Sequence, residues 1–211
     1  MFNRNPRRTA LLLAPIAAIT LTACGDADSD ASSPATTPPI AADVVTCGGA
    51  GIDESARIRY RTETLIDAPL NTIWNLQTDV ERWPTWQKPV TSIKRLDEGA
   101  LRDGSQFQWT TPAPATATTP EITLTITSSV HHLQPDSCIR WSGPAVGDGL
   151  RIDNGIHVWT FTQTDDGVLV RTEENWTGTQ VEADVPTSTA LLGAGLEAWL
   201  KDLKAAAEAK A

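Results

Sequence analysis

From Arg57 onward the chain alternates. Ile58, Tyr60, Thr62, Thr64 and Ile66 share one parity, and Arg57, Arg59, Arg61, Glu63 and Leu65 the other. This predicts a strand with one apolar and one mostly charged face. Asp67-Ala68-Pro69 ends it, Asp67 being able to cap and Pro69 suiting the first turn of a helix. Ile73, Trp74 and Leu76 mark a short helical face, and a second short helix begins at Asp79 and is interrupted at Trp83-Pro84. Strands are predicted near 91–96, 104–110, 121–133, 138–142, 155–164 and 168–177, with a long Pro/Ala/Thr loop over 111–120. Asp165-Asp166-Gly167 joins the last two as a hairpin. From Thr187 to about Ala209 the period turns helical: Leu191, Leu192, Leu196, Trp199, Leu200 and Leu203 form one stripe, with Glu197, Lys201, Asp202 and Lys204 opposite. Gly193 and Gly195 weaken the first half of that helix and suit a close approach to a sheet or cavity.

An antiparallel sheet with a polar outer face needs cover on its inner face, and the long helix supplies it. The expected fold is α+β, a helix-grip in which a curved antiparallel sheet wraps around the C-terminal helix.

The first 56 residues follow a different pattern. Arg4, Arg7 and Arg8 precede an apolar stretch, Ala10–Leu21, that is too short to span a bilayer but suits the core of a signal peptide. Leu21-Thr22-Ala23-Cys24-Gly25 then resembles a bacterial lipobox. The expectation is cleavage before Cys24 and lipidation of that cysteine, anchoring the chain in the cell envelope. Residues 25–43 are mainly Asp, Ser, Ala, Thr and Pro with no apolar periodicity, a composition that does not fold alone. The chain thus divides into a signal peptide (1–23), a lipidated cysteine with a disordered tether (24–55) and a folded domain (56–211).

Charge and cysteine content narrow the chemistry. Removal of the three arginines before Cys24 takes the net charge from −9 to −12. So acidic a surface repels nucleic acid phosphates, and nucleic acid is excluded as a partner. With Cys24 lipidated, Cys47 and Cys138 remain in an oxidising compartment, either as a disulfide or as two separate thiols. His131-His132 faces two ways on a strand and makes no metal site, and no Gly-rich phosphate loop or Ser/His/Asp set appears. No cofactor is expected.

A family resemblance adds to this reading. Ile66-Asp67-Ala68-Pro69, Ile73-Trp74 and Asp79-Val80-Glu81-Arg82-Trp83-Pro84-Thr85-Trp86 resemble the START-like (SRPBCC, polyketide cyclase/dehydrase) superfamily. Gly104–Trp109, Ile139-Arg140-Trp141, Trp159-Thr160-Phe161 and Glu174–Gly178 extend the likeness, which runs from Arg57 to Lys204. It implies a hollow between sheet and long helix. Strand parity then assigns Phe107, Trp109, Trp141, His157, Trp159, Phe161, Glu174 and Trp176 to its lining, with Trp83 and Trp86 near its mouth. Tryptophans around one hollow suit a flat apolar or aromatic ligand, or else they fill the core. His157 and Glu174 are the inward ionisable pair, candidates for acid and base, or else a water-exposed carboxylate at a strand end and a satisfied core or rim histidine.

Three functions compete: an envelope-anchored binder of a small hydrophobic ligand, a cyclase or dehydratase using His157 and Glu174, and a protein-binding module whose tryptophans close the cavity.

Overall fold

The computed structural model describes residues 45–116 and 120–211. The signal peptide, Cys24 and residues 25–44 of the tether lie outside them. Seven strands form one antiparallel sheet: β1 (Ile58–Ile66), β2 (Ser92–Arg95), β3 (Gln106–Ala113), β4 (Ile122–Gln134), β5 (Cys138–Gly147), β6 (Leu150–Thr164) and β7 (Gly167–Thr177). Their order across the sheet is β1-β7-β6-β5-β4-β3-β2. Helix α1 (Leu70–Thr78) and the 3-10 helix Val80–Thr85 follow β1, and helix α2 (Val185–Glu208) closes the chain. This is the helix-grip expected.

The sequence dictates most of these elements directly. In β1, Ile58 and Ile66 are buried while Arg59, Arg61, Glu63 and Leu65 are exposed. The carboxylate of Asp184 accepts a hydrogen bond from the Thr187 N–H (3.1 Å), which starts α2 two residues before the expected Thr187. Leu192, Leu196, Trp199, Leu200 and Leu203 then face the sheet and are buried. Register shifts between Val130 and His132 and between Gly143 and Ala145 bend the long central strands around the helix.

Three expectations need correction. Strands β5 and β6 run on to Gly147 and back from Leu150, joined at Asp148-Gly149. The glycines and the bulge at Gly143/Ala145 break the two-residue period there, so parity hides both extensions. Strand β3 likewise continues to Ala113 through Pro112, beyond the last residue paired with β2, where a missing N–H costs no ladder bond.

The third correction concerns the tether, whose last eleven residues, 45–55, are ordered. Cys47 is joined to Cys138 by a disulfide across 91 residues. Val45, Cys47 and Ile52 pack on Val158 of the convex face. Arg140 Nε donates to Gly51 O (3.0 Å), and Asp53 N donates to Asn175 Oδ1 (2.9 Å). Two apolar side chains and a buried cysteine in an otherwise polar segment give enough surface to hold it.

Candidate functional site

The concave face carries two apolar clusters side by side. One holds Trp74, Trp83, Phe107, Trp141, Trp159 and Trp199; the other holds Ile58, Leu124, Ala145, Ile152, Leu192 and Leu196. The aromatic rings of the first meet edge to face. Trp83 lies 5.4 Å from Phe107, 5.8 Å from Trp109 and 4.9 Å from Trp199, all near perpendicular. Such contacts are those of ordinary aromatic core packing.

Trp83 is therefore no mouth residue. It is wholly buried, and its indole N–H donates to the backbone oxygen of Gln77 (3.0 Å). The 3-10 winding of Val80–Thr85 turns the ring inward, which helix or strand parity does not foresee. Trp86 is half-buried and 6.4 Å from Trp199. Gln77, Trp74 and Trp199, absent from the expected lining, organise this core: Gln77 Oε1 accepts from Trp199 Nε1 (3.1 Å), and Trp74 packs on Phe161 at 5.4 Å. The helical stripe containing Trp199 was the available signal.

Cross-strand register builds the second region. Trp141 pairs with His157, His157 with Glu174, and Glu174 with Tyr60, so four side chains from β5, β6, β7 and β1 form one row. His157 Nδ1 stands 3.1 Å from Glu174 Oε2. Nε2 of the same ring is 2.7 Å from Thr172 Oγ1, which also lies 3.2 Å from Val158 O. Trp176 Nε1 donates to Glu174 Oε1 (2.7 Å). The sequence-expected pair is thus brought into contact, and Trp176 joins it.

Burial sets the proton inventory. Enclosure by the rings of Trp141 (4.9 Å) and Trp159 (5.0 Å) lowers the His157 pKa to about 3, so the imidazole is neutral. Burial raises Glu174 to about 7, against the opposing pull of the Trp176 hydrogen bond. When Glu174 is ionised, Nδ1–H of His157 faces the carboxylate and Nε2 accepts from the Thr172 hydroxyl. When Glu174 is protonated, it can donate to Nδ1; Nε2–H then donates to Thr172, whose hydroxyl turns to Val158 O. One proton on Glu174 thereby sets the tautomer of His157.

This row borders the less filled part of the concave face. Tyr60, Trp109, Ile126, Glu174 and Trp176 all keep intermediate exposure, whereas Trp159 and Phe107 are sealed. Helix α2 approaches the sheet chiefly over β1. At Gly193 a Cβ would stand 2.7 Å from the Tyr60 ring. A separate groove of about 620 Å³ lies between α1, the 3-10 helix, the β2–β3 loop and the β4–β5 turn, lined by Trp74, Asp79, Glu81, Arg95, Leu101 and Pro135. It reaches neither His157 nor Glu174, and Arg95 within it is held by Asp97 at 2.9 Å.

A curved sheet gripping one long helix, with an aromatic and apolar concave face, defines the START-like class of domains. Residues 57–208 match the family described as polyketide cyclase/dehydrase and lipid transport, and the chain belongs to that family. Among solved structures, it is similar to a START superfamily protein from Mycobacterium smegmatis, at 17% identity over 72% of this chain and 99% of that one (TM-score 0.60). TTHA0849 from Thermus thermophilus is 19% identical over 72% of this chain and 99% of that one (TM-score 0.56). The di-domain ARO/CYC StfQ from the steffimycin biosynthetic pathway is 17% identical over 72% of this chain and 51% of that protein (TM-score 0.55). At these identities the likeness is one of fold. No curated protein sequence matches the chain significantly.

Proposed function

We propose that this chain is an exported lipoprotein, held in the cell envelope by lipid on Cys24, whose domain binds a small hydrophobic or aromatic ligand on the concave face. The observation that carries the binding reading is the half-exposed group of Tyr60, Ile126 and Trp176 on one apolar cluster, beside buried His157 and half-buried Glu174. Apolar walls with few convergent polar groups are what small-molecule sites have in common. The site is displaced from the tryptophans of the first cluster, which fill their own space, towards the end of the sheet where β1, β6 and β7 meet α2. The Cys47–Cys138 bond supports export, since disulfides persist in oxidising compartments. The family's hydrophobic concave face and a tether to a membrane together favour ligands that partition into that membrane.

Mass spectrometry of small molecules carried through purification by the domain tests binding; an empty domain that also ignores a panel of aromatic probes sinks it. The mass of the full chain from membranes tests the anchor: diacylglycerol on Cys24 is expected, and an unmodified chain with an intact N-terminal segment rejects it.

A second reading rests on the 3.1 Å contact itself. General acid–base work needs hydrogen-bond reach, which His157 and Glu174 have. His157 is 4% exposed and already bound to Thr172, so a substrate would touch Glu174, with His157 as the positioning residue. Turnover by the wild type that is lost in Glu174→Gln while ligand binding persists would favour this enzyme over the carrier.

A further inference from the structure

Charge on the concave face is one-sided. Among the described residues, strand register points three ionisable side chains of the sheet inward besides Tyr60: Glu174, His157 and Arg95. Arg95 lies on the far edge strand β2 and is closed off by Asp97 (2.9 Å) and Ser105 (3.1 Å). His157 sits behind Glu174 among indole rings that disfavour the imidazolium. From α2, Glu197 faces the same opening and accepts a hydrogen bond from the Tyr60 hydroxyl. Among the described residues, no positive group is therefore paired with the carboxyl of Glu174.

Both oxygens of that carboxyl have a partner within the protein, Trp176 on Oε1 and His157 on Oε2, and the side chain is still partly reached by solvent. Trp176 holds Oε1 from its own strand. On the neighbouring strand Gly155 has no side chain, and a Cβ there would come within 3.2 Å of Oε1. The Glu174 side chain keeps 17% exposure. Tyr60 stands beside it across β1, its ring braced against Gly193. The half-exposed Ile126 of β4 packs on the same apolar cluster as Tyr60 and Trp176.

We infer that the ligand of this face is an organic cation, a protonated amine or quaternary ammonium on a flat apolar body, with its charged head against Glu174 between Tyr60 and Trp176. The inference rests on the ligand-binding reading above and deepens it. A carboxylate and aromatic rings attract a cation together, the rings through their quadrupole. An anion entering the same place meets Glu174 and Glu197 with no counter-charge, and a neutral body gains only the apolar contact.

Three probes of one shape test this by calorimetry: 1-naphthylmethylammonium, 1-naphthalenemethanol and 1-naphthoate. The ammonium is expected to bind at least about tenfold more tightly than the alcohol, and the carboxylate most weakly. Between pH 8 and pH 5, the ammonium should weaken by up to about tenfold per unit once Glu174 protonates, with its pKa of about 7, while the alcohol stays level. Glu174→Gln should erase the preference; the pH series needs no variant and stands if that protein does not fold. Equal binding of alcohol and ammonium, or a preference that survives in Glu174→Gln, overturns the inference and leaves ligand binding intact. If none of the three binds, both fall.

Discussion

Gly193 of α2 lies against the ring of Tyr60 on β1, so close that a Cβ would stand 2.7 Å from it. The ring contacts the helix backbone there, and the Tyr60 hydroxyl continues to Glu197 one turn further on. A glycine inside a helix costs about 1 kcal/mol relative to alanine, so its place here is set by contact and not by propensity.

Gly193→Ala should therefore destabilise, since overpacking of about 1–3 kcal/mol outweighs the helix gain. The same change in a Tyr60→Ala background should stabilise by up to about 1 kcal/mol. Urea unfolding of the four proteins in the cycle gives the answer; destabilisation in both backgrounds would show that the ring is not the cause.

The His157–Glu174 pair predicts an unusually flat stability profile in mild acid. Glu174, raised from 4.5 to about 7, contributes stability that is complete below pH 4.5 and lost as pH rises towards 7. His157, lowered from 6.5 to about 3, contributes stability that is complete above pH 6.5 and lost as pH falls towards 3. Between pH 4.5 and 6.5 the two slopes oppose. Glu174→Gln removes the first and should expose a rise in stability with pH across that window, approaching about 1.4 kcal/mol per unit for one proton. Chemical denaturation at half-unit pH steps checks this, and an unchanged flat profile in the variant contradicts it.

Replacing Cys47 and Cys138 together by alanine frees a loop of 91 residues and should cost about 3–5 kcal/mol, measured as the fall in unfolding free energy under oxidising conditions. Reduced wild type should match the double variant. Proteolysis within residues 45–55 should accelerate in both, because only hydrogen bonds and the packing of Val45 and Ile52 on Val158 then hold the segment.

Trp83→Leu removes a ring in contact with Phe107, Trp109, Trp141 and Trp199 and leaves the Gln77 backbone oxygen without its indole donor. A loss of about 3 kcal/mol is expected. Probe affinity at the Glu174 end should stay within about threefold of the wild type; an equal collapse of both would merge the packed tryptophans and the binding region into one site.

Much of the fold is written in the two periodicities. The parity of β1, the hairpin at Asp165-Asp166 and the apolar stripe of α2 each follow from spacing alone, because one face of each element is buried and the other wet. Parity also sets His157 opposite Glu174, since both lie on regular stretches of neighbouring strands. It fails where regularity does. The bulge between Gly143 and Ala145 hides the ends of β5 and β6, and the 3-10 turn carries Trp83 into the core instead of to a rim. The ordering of residues 45–55 depends on a cross-link between distant positions, which spacing leaves open. How full the concave face is depends on how rings from α1, the 3-10 helix, α2 and the three strands β3, β5 and β6 interlock, a property of volumes that no single segment records.

The strap from Val45 to Ser55 also determines how the domain bears a pull. Strand β1 is the sheet's edge and follows the strap directly, so a tug on the N-terminal chain would otherwise peel it from β7 one bond pair at a time. With Cys47 bonded to Cys138, tension on the chain before the strap passes instead into β5, flanked by β4 and β6 in the middle of the sheet. The load then falls on many ladder bonds together, and the concave face keeps its shape under the pull.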